Sequence, residues 1–233
     1  MPKRQEVSEP LWRTWVFDCD GVVLNSNAVK TEAMFRAASV YGRGAAEKLR
    51  EHHVRNGGVS RDLKFQWFFA EVVTPNKNVD QAVEELKCAY GAILEDALRD
   101  CEEATGLREL LCAIKAQGAA CFVVSGGDQG EVRNVLEERG LAGYFEGVFG
   151  APDSKEDIVG REVEAGNIQR PAIMLGDSKY DYVVASAYEM DFVFLTGWTD
   201  FASWREFFRG KKEVRIETDI GAVLYALEKG PGL

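Results

Sequence analysis

Short apolar runs rich in β-forming residues recur along the chain, each followed by a segment of helical periodicity. The runs are TWVFD (14–18), AACFVVS (119–125), GVFG (147–150), AIMLGD (172–177) and DFVFLT (191–196). Helical patterns lie between and after them at about 105–117, 129–139, 154–165 and 179–188. Runs this continuous in apolar residues suit parallel strands buried on both faces. Their alternation with helices predicts an α/β fold with a doubly wound parallel sheet. Thr105 is a candidate N-cap and Gly118 a candidate stop for the first of these helices. VRIET (214–218) predicts a last edge strand, with Asp219 capping a final helix to about Leu227.

Residues 26–101 break the alternation. They read as helices throughout, with apolar positions such as Val83, Leu86 and Tyr90 at helical spacing. The expected organisation is a core made of 1–25 and 102–233, with a helical domain, 26–101, inserted after the first strand. The N-terminal ten residues read as a polar lead-in without the apolar stretch of a signal peptide, and EKGPGL at the other end as a frayed tail. No uncharged apolar run is long enough to cross a membrane. The net charge of -10 argues against nucleic-acid binding, which needs basic surfaces, but leaves room for an anionic ligand in a locally cationic cleft. Five cysteines without a CxxC pair predict free thiols, mostly core residues, in a reducing cytoplasm. Nothing in the sequence speaks to oligomeric state.

The chemistry gathers at strand ends. The first strand runs into Asp18-Cys19-Asp20-Gly21, which places two carboxylates two residues apart at its carboxyl end. In open α/β sheets that edge forms the binding crevice. Paired carboxylates there repel unless a proton or cation is shared, and Mg²⁺ takes oxygen ligands of this kind. One carboxylate can then act as nucleophile and its neighbour as general acid and base. Gly21 allows close backbone approach to a ligand. Ser125-Gly126-Gly127 offers a hydroxyl and exposed amides to a phosphate. Asp177 and Asp181 offer two further carboxylates, and Lys155 a cation at the start of a helix. Each group has a plain alternative: helix capping for the aspartates and serines, a solvated surface for the lysine. Together they make the inventory of a phosphoryl-transfer site.

In this combination FDCDGVVLNSN, VVSGG, Lys155 and LGDSKYD resemble the four motifs of the haloacid dehalogenase superfamily of phosphohydrolases, over about Trp15 to Phe194. The resemblance implies a Rossmann-like core with an inserted helical cap, and a Mg²⁺-dependent reaction. It implies that Asp18 forms an aspartyl-phosphate, and that Asp20 protonates the leaving oxygen and then activates water. Ser125 and Lys155 would bind the phosphoryl group. Asp18, the backbone carbonyl of Asp20, and Asp177 would hold the metal, with Asp181 as a further ligand or support. Dehalogenating members lack an acid at the place of Asp20, so its presence points to phosphorus chemistry. The two glycines after Ser125 depart from the larger polar residue often found there.

Substrate choice is expected to lie with the inserted helices. The stretch His52 to Lys64 carries Arg55, Asn56, Arg61 and Lys64 around a Gly57-Gly58 break, with Ser60 as N-cap. These side chains are candidate contacts for a small phosphorylated metabolite, or merely a solvated interhelical turn. His52 and His53 read as surface or packing residues, and Phe65, Trp67, Phe68 and Phe69 as core. Asn25 and Lys30 mark the expected hinge. Three functions stay open: a phosphatase of small phosphomonoesters, a phosphosugar mutase with the same chemistry, and a non-catalytic binding protein.

Overall fold

The computed structural model describes residues 10–76 and 78–229. Most of the expected polar lead-in and of the C-terminal tail lies outside the described residues.

The described residues form a six-stranded sheet of β1 (Thr14–Phe17), β2 (Ala120–Asp128), β3 (Gly147–Ala151), β4 (Ala172–Gly176), β5 (Asp191–Leu195) and β6 (Val214–Glu217), in the order β3-β2-β1-β4-β5-β6. Every pairing is parallel. This is the Rossmann-like, doubly wound order, with its topological switch beside β1. Helices α5 (Leu107–Ala116), α6 (Gln129–Glu138), α7 (Lys155–Glu164) and α8 (Lys179–Ala187) connect the strands. The four-residue α9 (Trp204–Phe207) and α10 (Ile220–Glu228) follow β5 and β6. Between β1 and α5 lie α1 (Asn27–Ala38), α2 (Arg43–Arg55), α3 (Arg61–Glu71) and α4 (Val79–Arg99), the expected helical insertion.

Every residue of β1 is buried, because helices cover both faces of the sheet. Trp15 and Phe17 join one apolar cluster and Val16 the other, as strand alternation requires. The first cluster continues into the inserted helices through Met34, Leu49, Phe65 and Phe68. The predicted aromatic group there is core, with Trp67 partly buried and stacked 3.6 Å from His52. The second cluster includes an aromatic nest of Phe192, Phe194 and Phe208, on which Phe201, Trp204 and Phe207 pack. This nest seats α9, which its short, aromatic-rich sequence did not announce.

Several caps follow expectation. Ser60 accepts from the Leu63 amide, Asp219 accepts from the Ala222 amide, and Gly118 follows α5 in the left-handed conformation. Thr105 does not cap α5: Gly106, at φ +80°, holds the N-cap position and Leu107 opens the helix. A glycine reaches that backbone conformation without the steric cost a threonine would meet. All five cysteines are free thiols, with Cys19, Cys101 and Cys121 buried and Cys88 and Cys112 exposed. Among the described residues no helix is long and apolar enough to cross a membrane.

Candidate active site

Strand register assembles the site. Phe17 lies level with Val123 of β2 and Leu175 of β4. Asp18 therefore emerges between its neighbours, one residue below Ser125 on one side and Asp177 on the other. Its amide donates to the Leu175 carbonyl at 3.0 Å, so the ladder carries on to Asp18 itself. The β2–β3 pairing breaks after Val124 and resumes at Asp128, and this irregularity lifts Ser125-Gly126-Gly127 out of the ladder.

Asp18 is buried, and its Oδ1 lies 2.8 Å from Lys155 Nζ. The same ammonium donates to Asp181 Oδ1 at 2.6 Å. Lys155 is the first residue of α7, where the helix dipole disfavours a cation, so the two carboxylates must compensate it. Burial works against the Lys155 ammonium, but Asp18 and Asp181 outweigh it and raise its pKa. Asp181 serves twice: its other oxygen accepts from the Ser178 amide at 3.0 Å, closing a capping box at the start of α8. Asp181 thus caps α8 and pairs with Lys155 at once.

Oxygen atoms of Asp18, Asp177 and Asp181 lie within 4.8 Å of one another. Three buried carboxylates face one ammonium there, an excess of negative charge. Burial, reinforced by the Asp181 and Asp20 charges against Lys155, pushes Asp18 up to about 7. Burial with Asp18 and Asp181 carries Asp177 well above the usual carboxylate range. A cluster of hard oxygen donors that disfavours its own ionisation fits a small divalent cation such as Mg²⁺. Asn27 of α1 orients Asp177, donating to its Oδ2 at 2.7 Å and to the Trp198 carbonyl at 2.8 Å. Thr199 Oγ1 bonds the Asp177 carbonyl. Gly21, at φ +75°, is required by this crowding, since a Cβ there would lie 2.2 Å from Asp177 Oδ2.

The Asp20 side chain stands apart from the three-carboxylate cluster, so of the four expected metal residues it can contribute only backbone there. Its Oδ1 pairs with Lys30 Nζ at 2.5 Å and accepts from Ser26 Oγ at 2.5 Å. Ser125 Oγ approaches its other oxygen at 3.4 Å. Burial opposes the charge on Asp20, but Lys30 and Ser26 outweigh it and hold the carboxyl below its ordinary value. Lys30, Ser26 and Asn27 were missed as site residues. Ser26 and Asn27 close the stretch FDCDGVVLNSN, and Lys30 lies three residues beyond it; that placement was the signal for them.

A cavity of about 310 Å³ opens from this cluster toward the inserted helices. Asn56 lines it but uses its amide to cap α2, donating to the His52 carbonyl at 2.8 Å. Arg55 sits at the rim, exposed and paired with Glu51. Arg61, a candidate ligand contact, lines the cavity and makes a two-pronged ion pair with Glu131 of α6, at 3.0 and 2.8 Å, over the Tyr90 ring. Its Nε remains buried without a partner. Lys64 is buried on the cavity wall with Nζ 3.1 Å from His53 Nδ1. His52 has the expected packing role, whereas His53 faces the cavity. The glycines after Ser125 also find their reason. A Cβ on Gly126 would fall 2.2 Å from the Gly58 carbonyl, so the α2–α3 turn sits where a larger side chain would stand.

Residues 15–195 match the family model of the haloacid dehalogenase-like hydrolases. No curated protein matches the chain significantly. Solved structures share the fold at low identity. A Clostridium acetobutylicum protein called a predicted phosphatase is 18% identical with TM-score 0.74, covering 95% of this chain and all of its own. One from Haemophilus somnus, called a predicted phosphoglycolate phosphatase, is 18% identical with TM-score 0.72, covering 94% and 99%. The β-phosphoglucomutase of Clostridium difficile is 17% identical with TM-score 0.68, covering 93% and 96%.

Proposed function

The chain belongs to the haloacid dehalogenase-like hydrolases, and from that premise we propose that it is a Mg²⁺-dependent phosphatase of small phosphomonoesters. The observation that carries the reading is the convergence of Asp18, Asp177, Asp181 and Lys155 at the carboxyl edge of the sheet, beside a cavity sized for a small molecule.

Asp18 is the nucleophile. Lys155 holds its attacking carboxylate in place and neutralises charge on the transferring phosphoryl group. Ser125 Oγ and the amides of Gly126 and Gly127 bind the phosphoryl oxygens. Attack by an Asp18 oxygen on phosphorus breaks the ester bond and gives an aspartyl-phosphate. Asp20 gives the leaving oxygen its proton, then takes one from the water that hydrolyses the acyl-phosphate. In the present arrangement Lys30 and Ser26 keep Asp20 as carboxylate, the form that second step needs. Donation in the first step calls for a loosened Lys30 contact, which motion of α1 would supply. Mg²⁺, held by Asp18, Asp177, the Asp20 carbonyl and support from Asp181, would supply charge neutralisation for the phosphoryl oxygens. Residues 26–101 act as a cap that closes over the cavity and excludes water.

Phosphate release from an aryl phosphate, with and without Mg²⁺, tests the reading. Asp18→Asn should lower turnover on the order of a thousand-fold or more while leaving the fold intact, as removal of a nucleophile does. Undiminished turnover in that variant would remove Asp18 from its role. A requirement for a sugar bisphosphate, with little free phosphate released, would mark a phosphomutase.

A further inference from the structure

The three carboxylates of the cluster are not held alike. Asp18 is paired with Lys155, and Asp181 with Lys155 and with the amide and hydroxyl of Ser178. Those partners all belong to the sheet and its connections. Asp177 differs. Among the described residues, the one side chain that hydrogen-bonds its carboxylate is Asn27, whose amide donates to Oδ2 at 2.7 Å. Asn27 is the first residue of α1, so this partner comes from the inserted segment. The same nitrogen donates to the Trp198 carbonyl at 2.8 Å, and the neighbouring Thr199 bonds the Asp177 carbonyl. One amide thus joins α1, the loop after β5 and a carboxylate of the cluster.

Asn27 does not act alone. Lys30 pairs with Asp20, and Thr31 Oγ1 donates to Asp200 Oδ2 at 3.3 Å. Residues spaced i, i+3 and i+4 share one face of a helix. Helix α1 therefore seats on the core along a single stripe, and each of these contacts ends on a core aspartate. The fit at Asn27 is close, since a Cβ on Gly21 would fall 2.5 Å from its Nδ2. Hydrogen-bond partners of this kind fix the orientation of a metal-ligating carboxylate and raise its affinity for the ion.

We propose that Asn27 is a positioning residue that links the inserted helices to the metal site: α1 in its seat orients Asp177 for Mg²⁺, and bound Mg²⁺ in turn holds α1 in its seat. The second half follows from the first, because coupling between two equilibria is reciprocal. An ion that binds Asp177 better with Asn27 in place shifts α1 toward the seated state by the same factor. The inference rests on the reading of this cluster as a Mg²⁺ site.

Titration of the full chain with Mg²⁺ alone, by calorimetry, tests the link together with amide exchange across α1 in the presence and absence of the ion. Asn27→Ala and Asn27→Leu should each weaken Mg²⁺ binding about tenfold or more. In the parent chain Mg²⁺ should slow exchange across α1 about threefold or more, and in Asn27→Leu that slowing should vanish. A merely structural contact would speed α1 exchange in the variant equally with and without the ion. Strand amides, read in the same experiment, report whether both variants keep the fold. Mg²⁺ affinity within about threefold of the parent in both variants overturns the proposal, as does α1 exchange in the parent that ignores the ion. Either result, with Mg²⁺ still bound by the parent, leaves the metal reading standing. Absence of Mg²⁺ binding by the parent would sink that reading and the link with it.

Discussion

At the residue scale the site is a set of charges held against their own preference. Asp18 is pushed from 3.8 up to about 7, and Asp177 is raised as well. Between those pH values the folded protein keeps protons that an unfolded aspartate has lost. Stability from these groups is therefore highest at low pH and falls as pH rises toward 7. Mg²⁺ competes with those protons, so its addition should raise the melting temperature more at pH 8 than at pH 5.5. Equal shifts at both pH values would show that the metal does not bind these carboxylates. Lys64 gives the opposite sign. Its pKa falls from 10.5 to about 7, so between those values the unfolded chain binds the extra proton and stability rises with pH. Lys64→Met should then melt higher than the parent at pH 7, with the difference shrinking toward pH 10.5. A lower melting temperature at pH 7 would mean that the His53 contact outweighs the burial cost.

At the element scale the contact between the α2–α3 turn and the β2 loop sets how closely the inserted helices approach the sheet edge. The Gly58 carbonyl occupies the space beside Gly126, and Arg61 of α3 clasps Glu131 of α6 next to it. Gly126→Ala would force backbone against backbone, which cannot relax as a flexible side chain would. Misplacement of this order costs about tenfold or more in kcat/KM, and that loss, with the fold retained, is the expected outcome. Near-parental kinetics would show that the turn is not held against the loop during catalysis. The glycine pair was visible in the sequence, and so was its departure from the resembled family. Its reason was not visible, because the group that fills the gap comes from a turn almost seventy residues away. Arg61 illustrates the same limit: its sequence position near a turn is equally compatible with a ligand contact and with the Glu131 clasp.

At the scale of the whole molecule, the chain crosses between sheet and inserted helices twice, and the crossings lie side by side. The Asn25 amide donates to the Glu102 carbonyl at 2.9 Å, and the Ala104 amide to the Val23 carbonyl at 3.0 Å. Arg139, just past α6, bonds the carbonyls of Leu98, Arg99 and Cys101 at 3.0, 2.8 and 2.6 Å, tying the end of α4 to the core. Arg139→Met should therefore speed amide exchange across residues 98–104 while leaving the strands protected. Unchanged exchange there would deny Arg139 a part in the hinge. The parallel sheet, the strand-end carboxylates and the helical insertion were legible beforehand, because they follow from local periodicity and from residue types at strand ends. Asp20's pairing with Lys30, the clasp at Arg61 and the contact of buried Lys64 with His53 were not. Each depends on distances between segments remote in sequence, and periodicity carries no information about which buried charge finds a partner.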